Sequence, residues 1–104
     1  MTHFFPTIED VLKNNVHLLK KCKTREHQIK SLEKILNQNY QSILPKFYIT
    51  KLFKIKPYKY MPLVESGKFP SIKIGTRLSI KTSCFAPLIL SQYEKVLELN
   101  INNK

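Results

Sequence analysis

Gly67-Lys68-Phe69-Pro70-Ser71-Ile72-Lys73-Ile74-Gly75-Thr76-Arg77-Leu78-Ser79-Ile80 is the stretch whose reading decides the fold. Apolar and polar residues alternate on both sides of Gly75, the period-2 pattern of a half-buried strand pair. With a three-residue turn at Gly75-Thr76-Arg77, this pattern predicts that Ile72, Ile74, Leu78 and Ile80 share the buried face. Lys73, Ser79 and Lys81 then take the outer face. Arg77 stands at the tip of the hairpin, where a cation can reach a phosphate backbone. Gly75 suits a turn that needs positive φ, and Gly67 suits the stop of a preceding helix.

Upstream, Thr7 with Asp10 three residues on is a helix-start signal. Ile8, Val11, Leu12, Leu19 and Cys22 then keep helical spacing. Thr24 is a second start, and Ile29, Leu32, Leu36, Tyr40 and Ile43 predict a helix over 25–44 that Pro45 ends. Residues 1–45 therefore read as a helical hairpin. Between it and the strands, Pro57 and Pro62 oppose a long helix, because an interior proline costs about 3 kcal/mol or more. The expectation is an extended or turn segment over 54–60 and a short helix from Pro62 to Gly67. Pro87 opens a last helix with Leu88, Ile89, Tyr93, Val96, Leu97 and Ile101 on its apolar face, fraying from Asn100. The fold class is mainly α with a small β-hairpin, in one domain of 104 residues. Its parts are 1–45, 46–82 and 83–104.

Charge is distributed unevenly. The chain has 18 basic and 7 acidic residues, a net charge of +11. Residues 46–82 hold nine of the basic residues and only Glu65 of the acidic ones, whereas residues 83–104 balance. Such a patch is the footprint of a polyanionic partner.

Catalytic chemistry has little to stand on. The carboxylates Glu9, Asp10, Glu26, Glu33, Glu65, Glu94 and Glu98 are scattered, so no cluster presents itself for magnesium. Ser66-Gly67-Lys68 lacks the earlier glycine and following hydroxyl of a phosphate loop. His3, His17 and His27 lack ligand spacing, and Cys22 and Cys84 form no CxxC pair. No enzyme activity, cofactor or metal is expected. No run of 18 apolar residues and no signal-peptide pattern is present, so a cytoplasmic protein with reduced thiols is expected.

Residues 49–80 resemble the small winged helix-turn-helix of excisionases, AlpA-type phage regulators and the MerR family. The resemblance rests on Gly67-Lys68-Phe69-Pro70, on the turn after Ile74, and on Leu52, Ile55, Leu63 and Val64 at core spacing. It implies a phage or mobile-element setting and DNA as partner. The chain departs from the pattern at Lys56-Pro57, where family members place a Ser or Thr cap, and at Pro62 in the second helix. A short recognition helix reads bases poorly.

Lysines interleave with aromatics through this segment. Phosphate neutralisation plus base stacking by such residues tolerates any sequence. The candidate nucleic-acid contacts are Lys54, Lys56, Tyr58, Lys59, Tyr60, Lys68, Lys73, Arg77 and Lys81. Phe47, Phe53 and Phe69 read as core. The outer helices exceed what a minimal winged domain needs. Ile29, Leu32, Leu36, Ile43, Leu88 and Tyr93 are therefore candidates for docking a protein partner. The expected function is that of an accessory protein. It would grip single- or double-stranded DNA with little sequence preference and dock on a polymerase-, primase- or helicase-type enzyme of replication or recombination. The alternatives are a sequence-specific regulator or excisionase, and an RNA-binding antitermination factor.

Overall fold

The computed structural model describes residues 5–99. Ile101 and the expectation of fraying from Asn100 fall outside them, as does His3. The chain is mainly helical, with five α-helices and a small three-stranded antiparallel sheet among the described residues. Helix α1 (Ile8–Lys20) starts where the Thr7 hydroxyl accepts the Asp10 N–H at 3.1 Å. Helix α2 (Arg25–Asn39) starts where Thr24 accepts the His27 N–H at 3.0 Å. Each cap satisfies one of the orphan donors of a helix start. Val11, Leu12 and Leu19 of α1 are buried with Leu32, Ile35 and Leu36 of α2, as the spacing predicts for a helical hairpin.

Helix α2 stops at Asn39, five residues short of the sequence expectation. Tyr40 turns extended (φ −132°, ψ 168°), its ring buried edge-on against Phe53 and its hydroxyl donating to the Pro6 carbonyl at 2.8 Å. The released backbone forms β1 (Ile43–Pro45), a strand that helical periodicity conceals. Thr82 holds the bend: its N–H donates to the Ser42 carbonyl at 2.8 Å and its hydroxyl to that of Gln41 at 2.5 Å.

Helix α3 (Lys46–Phe53) ends on Lys54 in the left-handed region (φ 57°). Helix α4 (Pro57–Glu65) follows after three residues. Here the structure corrects the expectation of an extended 54–60 segment, because the helix begins at Pro57 and passes through Pro62. Pro57 occupies the first helical position, where its missing N–H costs nothing. Pro62 deprives the Tyr58 carbonyl of its helical donor. Tyr58 is exposed, so water can serve that group. Burial of Tyr60 anchors the helix from the other side. Gly67 (φ 86°) closes it as a Schellman motif, with Lys68 N–H on the Leu63 carbonyl and Gly67 N–H on that of Val64.

Strands β2 (Ser71–Ile74) and β3 (Arg77–Lys81) form the hairpin, and the sheet order is β1-β3-β2. The register pairs Ile74 with Arg77, Lys73 with Leu78 and Ile72 with Ser79. The loop is thus Gly75-Thr76, with positive φ at Gly75 alone, the pattern of a two-residue II′ turn. This corrects the three-residue reading, and a one-residue change of register exchanges faces. Leu78 and Ile80 turn to the core with Leu44 beside Ile80, whereas Ile72 and Ile74 lie on the open face, 51% and 66% exposed. Lys73 lies on the face of Leu78, opposite Arg77 and Lys81.

A short 3-10 helix (Thr82–Phe85) leads into α5 (Ala86–Tyr93). The last helix is shorter than its apolar pattern suggests, and Val96 is exposed. A second Schellman turn, with Glu98 at φ 55°, brings Leu99 back into the core. There the Leu99 carbonyl accepts from buried Gln28 Nε2 at 3.3 Å. The core centres on Phe85, whose ring meets Phe53, Tyr60 and Phe69 at centroid distances of 5.7, 5.3 and 5.0 Å.

Candidate nucleic-acid interface

Helix α3, the connection at 54–56, α4 and the β2–β3 hairpin follow one another along the chain. Lys51 on α3, Lys56 at the α4 N-cap, Lys59 in its first turn, Lys68 after its end, and Lys73, Arg77 and Lys81 on the hairpin are all exposed. Among the described residues, ion pairs join Arg25 to Glu94 at 2.5 Å and Lys54 to Glu9 at 2.7 Å. Those seven cations therefore have no carboxylate partner among the described residues. Lys51, absent from the sequence-based set, carried the same signal as its neighbours, a lysine among aromatics.

Lys54, a sequence candidate, is engaged elsewhere. Its ammonium donates to Glu9 Oε2, which also accepts the Tyr93 hydroxyl at 3.2 Å. The Lys54 bond holds the Glu9 carboxyl below the usual glutamate range and raises the lysine in turn. Burial pushes the Tyr93 phenol up. This cluster ties α1, the α3 C-terminus and α5 together.

The two tyrosines part company. Tyr58 is 70% exposed and can offer a ring face for stacking. Tyr60 is fully buried, its hydroxyl within 3.1 Å of Thr50 Oγ1 and donating to the Lys46 carbonyl. It is a core residue and not a nucleic-acid contact, because the helical turn between Tyr58 and Tyr60 puts neighbours on different sides. Phe53 and Phe69 are core, as expected. Phe47 is not: it is exposed and stacks on Tyr48 at 4.3 Å.

The candidate docking seam is largely dissolved. Leu32 and Leu36 are fully buried, so they hold the domain together and present no surface. Ile29, Leu88 and Tyr93 are half-buried against the core. Ile43 has left the helix for the open face of the sheet. Among the described residues, no three His, Cys, Asp or Glu side chains gather as a metal site, and no helix is long and apolar enough to cross a membrane.

Comparison with protein-family models, with curated proteins and with solved structures finds no match for this chain. Surface chemistry is then the guide to function. Exposed ammonium and guanidinium groups suit phosphates, and the outward residues of α4 set what such a surface can read. They are Tyr58, Lys59, Pro62 and Glu65.

Proposed function

We propose that this chain is a non-catalytic DNA-binding accessory protein, gripping DNA with little sequence preference and serving a replication or recombination enzyme. The observation that carries this reading is a contrast within α3, α4 and the hairpin. Seven exposed cations on α3, on and flanking α4 and on the β2–β3 hairpin have no carboxylate partner among the described residues, yet of the side chains that commonly read base edges α4 presents only Lys59 and Glu65, and no Arg, Asn or Gln. Affinity then comes from phosphates. The resemblance of the wing segment to excisionases and AlpA-type regulators supports a mobile-element setting.

The second reading, a sequence-specific regulator or excisionase, gains from the structure. Helix α4 runs nine residues where the prolines predict barely one turn, which is long enough to lie in a major groove. Titration with unrelated duplexes over a range of salt separates the two. The accessory reading expects similar affinity for all of them and a log–log salt slope approaching about −6, since each neutralised phosphate contributes about 0.9. Selection from random DNA that returns one motif, preferred by about a thousandfold or more, would sink it and favour the regulator.

A further inference from the structure

Among the described residues, the sheet is covered on one face only. Leu44, Ile80 and half-buried Leu78 turn to the helices. The opposite face carries Ile43 and Pro45 from β1, Arg77, Ser79 and Lys81 from β3, and Ile72 and Ile74 from β2. Ser79 has the smallest side chain of the set and sits on the central strand. It floors a groove of about 230 Å3 whose walls include Ile43, Pro70, Ile72 and Lys81. Ile74 continues the apolar surface toward the turn.

The edge beside this groove is unpaired among the described residues. β2 is an outer strand and all four of its residues are exposed. In an antiparallel ladder, bonded and non-bonded pairs alternate. Ile74 and Ile72 direct their backbone groups to β3 across from Arg77 and Ser79. Ser71 and Lys73 therefore direct theirs outward. An open edge with apolar side chains next to it is the receptor for an added strand.

Charge selects among occupants. Between Glu65 and Glu94 the chain carries Lys68, Lys73, Arg77 and Lys81 and no acid. Two copies joined at β2 would bring lysines together across the new ladder, and like charges there are unfavourable. A phosphate backbone complements the charge but leaves the isoleucines in water. A strand that alternates apolar with acidic residues answers both demands.

We infer that the open sheet face and the β2 edge dock an extended acidic segment of a partner protein, whose apolar side chains enter the Ser79 groove. The inference deepens the accessory reading and rests on it in one respect, that the chain serves a protein partner. It does not require affinity for DNA.

The test pans a library of short random peptides, displayed on phage, against the full chain. Enriched peptides are then made as fluorescent probes and titrated against wild type and Ile72→Thr/Ile74→Thr. Threonine keeps the branched β-carbon that suits a strand, so the hairpin should stay folded. Ile43→Thr, on the other wall, repeats the test with the hairpin untouched. Enriched peptides should alternate apolar residues with Asp or Glu, and their affinity should drop about tenfold or more in both variants. N-methylation at alternate peptide positions should abolish binding. Basic or helix-periodic peptides, or unchanged affinity in the variants, overturn the inference. So does an equal loss of duplex DNA affinity, which assigns the face to nucleic acid, or a wild-type dimer that the variants abolish, which assigns it to a second copy. Peptide capture in a chain that binds no DNA removes the DNA reading and leaves the docking surface standing.

Discussion

Glu9 joins three parts of the molecule through one carboxylate, which accepts from Lys54 and Tyr93. Its pKa is lowered, chiefly by the Lys54 bond. A group whose folded pKa lies below its unfolded value stabilises the fold above the unfolded value and loses that contribution as pH falls through the folded one. The melting temperature of wild type should therefore exceed that of Glu9→Gln most clearly above about pH 5, and the gap should close as pH drops below about 4. The pair is well exposed, so the gap is small and narrows with salt. A gap that widens on acidification would refute this role. Among the described residues, Lys54 is the one candidate cation already committed to a carboxylate, so Lys54→Ala should weaken DNA binding less than Lys59→Ala in the same titration.

At the scale of elements, α4 and the β2–β3 hairpin carry the proposed function. Pro62 sits inside α4 with its side chain exposed, away from the core. Pro62→Ala should raise stability by about 1–3 kcal/mol, since proline is the least favourable residue of a helix interior. Urea unfolding measures this directly, and a loss of stability would show that the proline shapes the α3–α4 turn. The hairpin makes a different demand. Lys73 and Arg77 lie on opposite faces of it, both exposed. Replacing both with Ala should leave stability within about 0.5 kcal/mol, as for ordinary surface sites. It should reduce the DNA salt slope by about 0.9 for each phosphate that is no longer neutralised. An unchanged slope at low salt would remove the hairpin from the interface.

For the molecule as a whole, Phe85 is the point on which the parts converge, with rings from α3, α4 and the segment before β2 around it. Phe85→Ala should cost about 3–5 kcal/mol, within the range of large-to-small changes in a packed core. That is a large share of the about 5–15 kcal/mol available to a small domain. The denaturation midpoint should fall, with little change in the denaturant dependence if the fold is otherwise kept. A shift of less than about 1 kcal/mol would mean that the surrounding rings close the gap.

Local chemistry was legible in the chain. Thr7 and Thr24 cap helices because their hydroxyls meet orphan N–H groups three residues on, and Gly67 and Gly75 take the positive φ that their turns need. The concentration of lysines over 46–82 is likewise a property of sequence alone. What the chain concealed depended on distant partners. Residues 43–45 keep helical spacing but form β1, because β3 offers a ladder and Thr82 holds the bend. Helix α4 runs through Pro62 because burial of Tyr60 among Phe85, Thr50 and Lys46 outweighs one missing hydrogen bond. Leu32 and Leu36 look the same in sequence whether they face a partner or the chain's own core. The helices packed around them decide for the core. The face of Ile72 and Ile74 turned on a single residue of loop length. Alternation fixes which residues of each strand lie together, but only the pairing of Ile74 with Arg77 decides which set meets the helices and which meets solvent.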